Sequence, residues 1–103
     1  MGTRLVTRWG TQVENPTEGD LRAALAELAA PDPEHPDAWL SDADEYTLSA
    51  FASGLVLFGN AETGEDFALA SPAPAEEVLR LWRLLQQGDL AALRRERWVP
   101  RLP

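Results

Sequence analysis

The sequence predicts an α+β protein: an antiparallel β-sheet of about four to five strands with two to three helices packed on one face. Three observations carry this. Polar and apolar residues alternate at both ends of the first two-thirds, leucines recur at helical spacing behind two cap signals, and the strands follow one another by tight turns rather than helical crossovers.

Residues Thr3 to Val13 alternate, with Leu5, Thr7, Trp9, Thr11 and Val13 on one face and Arg4, Val6, Arg8 and Gln12 on the other. That is one half-buried strand, with Gly10 as a bulge. Asn15-Pro16 stops it. Thr17 with Asp20 three residues on forms a helix N-cap, and Leu21, Leu25 and Leu28 then place a first helix to about Ala29.

The run Pro31-Asp32-Pro33-Glu34-His35-Pro36-Asp37 reads as an exposed loop. Ala38-Trp39-Leu40 follows as a short strand or anchor, with Trp39 expected in the core. From Tyr46 to Ser71 the chain reads as a three-stranded meander, turning at Ser53-Gly54 and again at Glu62-Thr63-Gly64-Glu65. A two-residue loop at Ser53-Gly54 sets Ala50 opposite Leu57 and Ser49 opposite Phe58, so large apolar groups occupy both sheet faces.

Pro72-Ala73-Pro74 leads into a second helix whose first turn carries Glu76 and Glu77 and whose buried stripe is Val78, Leu81, Trp82 and Leu85. Gly88 ends it. Asp89 caps a short third helix through about Arg95, and the tail from Trp98 to Pro103 is extended and pinned by Trp98. The 103 residues fit a single domain, 1–103.

A charge of −8 disfavours nucleic acid, whose binding needs clustered cations. The basic residues are all Arg, and neither Lys nor Ile occurs, which reads as the codon usage of a GC-rich bacterial genome. No run approaches a membrane span and no signal peptide is evident, so no membrane partner is expected and a cytoplasmic location is the default. Without cysteine there is no disulfide, thiolate ligand or thiol nucleophile.

No catalytic set, cofactor site or metal site emerges. His35 is the single histidine and sits in the proline loop. Asp37, Asp42, Asp44 and Glu45 offer oxygen atoms but lack the spacing and mid-loop glycine of a calcium loop. Glu76 and Glu77 are adjacent and diverge on a helix. The serines stand in no nucleophile elbow, and the glycines in no phosphate-cradling loop.

The charge is instead segregated. Residues 1–11 carry net +2, residues 12–79 net −14 and residues 80–103 net +4. An acidic face meeting a basic protein is one reading. Arg94, Arg95, Arg97 and Arg101 would then pair across a dimer or fold back onto the chain's own acids. The doubly apolar hairpin asks for a cover on the face away from the helices: the tail, the first strand or a second copy, as in a homodimer. The candidate interaction surface is Asp37, Asp42, Asp44, Glu45 and Phe58 with Arg94, Arg95 and Arg97.

Two segments, Trp39-Leu40-Ser41-Asp42 leading to Tyr46-Thr47-Leu48-Ser49, and Leu81-Trp82-Arg83-Leu84-Leu85 before Gly88-Asp89-Leu90, resemble short uncharacterised bacterial proteins of about this length. The chain also resembles the small acidic immunity proteins of bacterial toxin systems. That resemblance assigns no functional residue; the segregated charge and the absent catalytic set lead to the expectation of a non-enzymatic protein-interaction or immunity-type module with an acidic surface. The alternative expectation is a small-ligand protein or small enzyme with a pocket between the sheet and the second helix, walled by Trp39, Tyr46 and Trp82 and holding Asp42 or Glu45.

Overall fold

Why the N-terminal alternation does not make one strand is visible at Gly10. In the computed structural model, which describes residues 2–101, Gly10 has φ +84° and the chain reverses there, with Thr7 N–H donating to Thr11 O and Gly10 N–H to Thr7 O. The run is therefore a hairpin of β1 (Thr3–Val6) and β2 (Gln12–Glu14), with Leu5 opposite Val13. Met1, Leu102 and Pro103 lie outside the described residues.

The following elements are α1 (Glu18–Glu27), β3 (Asp37–Asp42), β4 (Tyr46–Phe51), β5 (Val56–Asn60), β6 (Glu65–Leu69), α2 (Ala75–Gln86), α3 (Leu90–Arg94) and β7 (Trp98–Pro100). Among the described residues they form a seven-stranded sheet of order β2-β1-β3-β4-β5-β6-β7, every pairing antiparallel, with three helices. The class is α+β, as the sequence predicts, but the strand count of four to five is too low. The N-terminal run supplies two strands instead of one, and the tail adds another by pairing with β6.

Local signals set the helices. Thr17 Oγ1 accepts from Asp20 N–H while Asp20 accepts from Thr17 N–H, a complete capping box for α1. Pro74 precedes α2, Gly88 leaves it with φ +73°, and the Asp89 side chain accepts from Ala92 N–H to start α3.

One contiguous core lies between the sheet and the helices. Leu5, Ala38, Leu40, Leu48, Ala50, Val56 and Phe58 from the strands meet Leu21, Ala24, Leu25, Val78, Leu81, Trp82, Leu85 and Leu93 from the helices. Trp82 is fully buried, and its Nε1 donates to Leu48 O at 3.1 Å.

The β4–β5 loop has three residues, not two. Phe51 N–H donates to Leu55 O and Gly54, at φ +94°, donates to Phe51 O, so Ala50 opposes Val56 and Leu48 opposes Phe58. The added loop residue slips the register by one, and with a side-chain period of two this exchanges the faces of β5. Phe58 is consequently only 2% exposed, against Tyr46 and Trp98, and is no surface residue; Leu57 takes the open side.

Arg8, which the alternation places on the face opposite Leu5 and Trp9, is only 4% exposed. Its Nε donates to His35 O at 2.9 Å, and its Nη1 donates to Ala30 O at 2.7 Å and to Glu27 O. One guanidinium thereby caps the negative end of α1 and holds the proline loop against it. The Trp9 ring stacks obliquely on His35, and His35 Nδ1 lies 3.1 Å from Asp32 Oδ2. This contact holds the Asp32 carboxyl below its ordinary range.

Candidate functional site: the open face of the sheet

Strand alternation sends one set of side chains to the helices and the other to the opposite face, which no helix among the described residues covers. Pairing aligns this second set into rows across the sheet. The middle row runs Val6, Trp39, Ser49, Leu57, Ala68 and Val99, from β1 to β7. Trp39 and Leu57 are half-buried by their neighbours, and Val99 is 50% exposed. Trp39 therefore stands on the open face rather than in the core. β3 is an inner strand, and its alternate residues Ala38 and Leu40 fill the core positions.

A second row runs Glu14, Arg4, Ser41, Thr47, Gly59 and Asp66, and continues to Arg101, whose N–H donates to Asp66 O. Both ends of this row are charged: Arg4 pairs with Glu14 at 2.6 Å, and Arg101 with Asp66 at 3.4 Å. Gly59 leaves a gap in it. A Cβ there would come 2.8 Å from Glu65 O, so the position excludes any larger residue, and a shallow dish of about 410 Å³ opens beside Leu57. A third row sets Asp37 beside Phe51, then Leu55, and ends where Ala70 N–H donates to Arg97 O.

The predicted interaction residues do not form one patch. Asp37 and Asp42 stand at opposite ends of β3, roughly 17 Å apart at the rise of a strand. Burial on the open face raises the Asp37 carboxyl above its ordinary value. Asp42 Oδ1 accepts from Asp44 N–H and Tyr46 N–H, so it braces the β3–β4 turn, and Asp44 O accepts from Asn60 Nδ2. Asp42, Asp44, Glu45 and Glu62 gather at that end of the sheet with no arginine at ion-pair distance among the described residues. Their side chains do not converge on a cation: among the described residues no three His, Cys, Asp or Glu groups could hold a metal.

Most arginines answer the chain's own acids. Arg94 donates to Glu65 and to the Tyr46 hydroxyl, Arg22 bridges Glu18 and Glu76, Arg83 reaches Glu18, and Arg80 links Glu77 with Glu96. Arg95 and Arg97 are exposed and have no such partner among the described residues.

Hydrogen bonding and proximity to arginine lower the carboxyls of Glu18, Glu65 and Glu77 from their ordinary 4.5. A carboxyl whose folded value is depressed contributes stability above the unfolded value and loses it as pH falls through the folded one. The melting temperature is therefore expected to hold from neutral pH down to about 5 and to fall progressively below it. Thermal scans across that range check this. In Glu65→Gln the acid-side slope should be shallower, and an unchanged slope would show the pair to be neutral. The pairs are solvent-exposed, so each contributes little individually.

No one pocket among the described residues is walled by Trp39, Tyr46 and Trp82; Trp39 instead lines, with Arg4, Glu14, Asp42 and Glu45, an open cleft of about 490 Å³ at the edge of the open face, away from α2. Trp39 and Trp82 are on opposite sides of the sheet, and Trp82, Leu81 and Leu85 fill the interval between α2 and the strands. An open cleft of about 360 Å³ lies where α1, the β4–β5 loop and Pro72–Ala75 meet, but no titratable side chain lines it. No helix among the described residues is long and apolar enough to cross a membrane. No family model, no curated protein and no solved structure matches the chain.

Proposed function

We propose that the chain is a non-enzymatic protein-interaction module and that the open face of its sheet is the working surface. The observation that carries this is the row from Val6 through Trp39 and Leu57 to Val99, apolar except for Ser49 at its centre, running across the sheet on the side away from the helices. Contiguous apolar surface of this kind marks interaction sites in folded proteins. Self-association into a homodimer and docking of another protein both fall within this reading.

An immunity-type role is the form of the reading in which Asp42, Asp44, Glu45 and Glu62 do the recognising, by presenting acids to a basic protein. The internal pairing of Arg22, Arg80, Arg83 and Arg94 takes up Glu18, Glu65, Glu76, Glu77 and Glu96, whereas Asp42, Asp44, Glu45 and Glu62 have no arginine pair among the described residues.

Leu57→Arg is expected to weaken association about tenfold or more while leaving the melting temperature near that of the parent chain, since Leu57 faces away from the core. Mass measurement over a concentration series, together with co-purification from the native host, reads both properties. Association through the apolar row persists in high salt, whereas a partner held by the acidic end is released as screening shortens to about 3 Å at 1 M. Association unaltered by Leu57→Arg and by salt alike would sink the proposal.

A further inference from the structure

We infer that the open face is the contact between two copies of this chain, packed face to face about a two-fold axis that runs along β4. This rests on the interaction reading above and names its partner. The chain has no cover of its own to offer among the described residues: the first strand and the tail, the other two candidates, are both built into the sheet as β1 and β7.

The axis follows from charge. Rotation about β4, the middle strand of seven, lays each row on its own reverse. The second row then sets Glu14 over Arg101 of the other copy and Arg4 over its Asp66, so both charged ends meet opposite charges. Moving the axis to a neighbouring strand sets these charges over uncharged residues. Turning it across the strands, about the middle row, places Arg101 over Arg97, a like-charge contact that costs affinity. The row is thus self-complementary in one orientation.

Shape agrees with charge. The middle row reversed sets Trp39 over Leu57, beside the dish that Gly59 leaves open, and each indole enters the dish of the other copy. Six inter-strand spacings of about 4.8 Å and strands of about 17 Å give a face of roughly 500 Å² in projection. Two such faces bury about 1,000 Å² in total, at the lower bound for a specific interface. Two sheets packed in this way form an aligned sandwich about 10 Å thick.

Cysteine scanning with mass measurement tests the arrangement, because the chain contains no cysteine and every variant carries a single thiol. Ser49 lies on the axis and meets its own copy, whereas two Val99 positions stand about 29 Å from each other's facing site. The expected result is a particle of twice the 11.3 kDa chain mass. In it, Ser49→Cys joins its copy through a bis-maleimide of about 10 Å reach, Val99→Cys alone does not, and Val99→Cys mixed with Gln12→Cys does. A dimer in which Val99→Cys joins to itself, or in which Ser49→Cys does not, overturns the axis. A monomer at all concentrations overturns the inference. If Leu57→Arg then abolishes binding of a different protein, the interaction reading stands without it, and if neither Leu57→Arg nor high salt changes any association, both fall.

Discussion

Trp82→Ala is expected to cost about 3–5 kcal/mol, the usual loss for truncating a buried Trp, which is a large share of the roughly 5–15 kcal/mol that holds a domain folded. Trp82 is the largest fully buried side chain, and it fills the space between α2 and the middle strands. Its loss leaves a void bounded by strand backbone and by helices tied to the sheet, so little collapse can fill it. The Leu48 carbonyl also loses its indole donor. Urea unfolding followed through the m-value and midpoint measures the loss. Trp82→Phe should recover more than half of it, because it restores ring volume without the donor. A loss under about 1 kcal/mol for Trp82→Ala would mean that the core is not continuous through this residue.

The second large effect is expected at Arg8. Arg8→Met keeps an apolar stem of similar length but removes the donors to Glu27 O, Ala30 O and His35 O, for a predicted loss of about 2–4 kcal/mol. Two of these carbonyls close α1 and the third belongs to the proline loop, so the damage should be local as well as global. Amide exchange at the end of α1 and around His35 ought to quicken more than in β4. Arg8→Lys should restore only part, since one ammonium cannot span three carbonyls as a planar fork does. A stabilised Arg8→Met would overturn this reading and show that desolvation of Nη2, buried without a partner among the described residues, outweighs the three bonds.

What the sequence makes legible is what local chemistry decides. The start of α1 follows from Thr17 and Asp20, and the end of α2 from Gly88, because the groups that satisfy a helix terminus lie within a turn of it. The class was legible for the same reason, since the hairpins and helices each announce themselves.

The failures fall where a local stretch permits two conformations or where the deciding contacts are distant in sequence. Alternation runs unbroken from Thr3 to Val13, and only the left-handed Gly10 distinguishes a hairpin from a strand with a bulge. At the β4–β5 loop one added residue decides whether Phe58 or Leu57 faces the core, and a Ser-Gly pair permits either register. Trp39 was expected in the core because it is large and apolar, although its neighbours Ala38 and Leu40 hold the buried positions. The charge split was evident, but its resolution needed contacts such as Arg83 to Glu18, between residues far apart in sequence. The open apolar face was legible in outline as a hairpin apolar on both sides. Its extent was not, because it depends on the register of all seven strands.

The shortness of the outermost strands has a consequence for how large an assembly this chain can build. β2 and β7 are three residues each, and β7 ends in Pro100, which has no N–H to give. A strand arriving at either margin would find only a few ladder bonds, too few to hold it, and charged groups at Glu14 and Arg101 beside them. Growth sideways, which is how sheets become fibrils, is closed at both ends. Any association through the face stops after one step, because the surface is consumed in making it, and the product is finite.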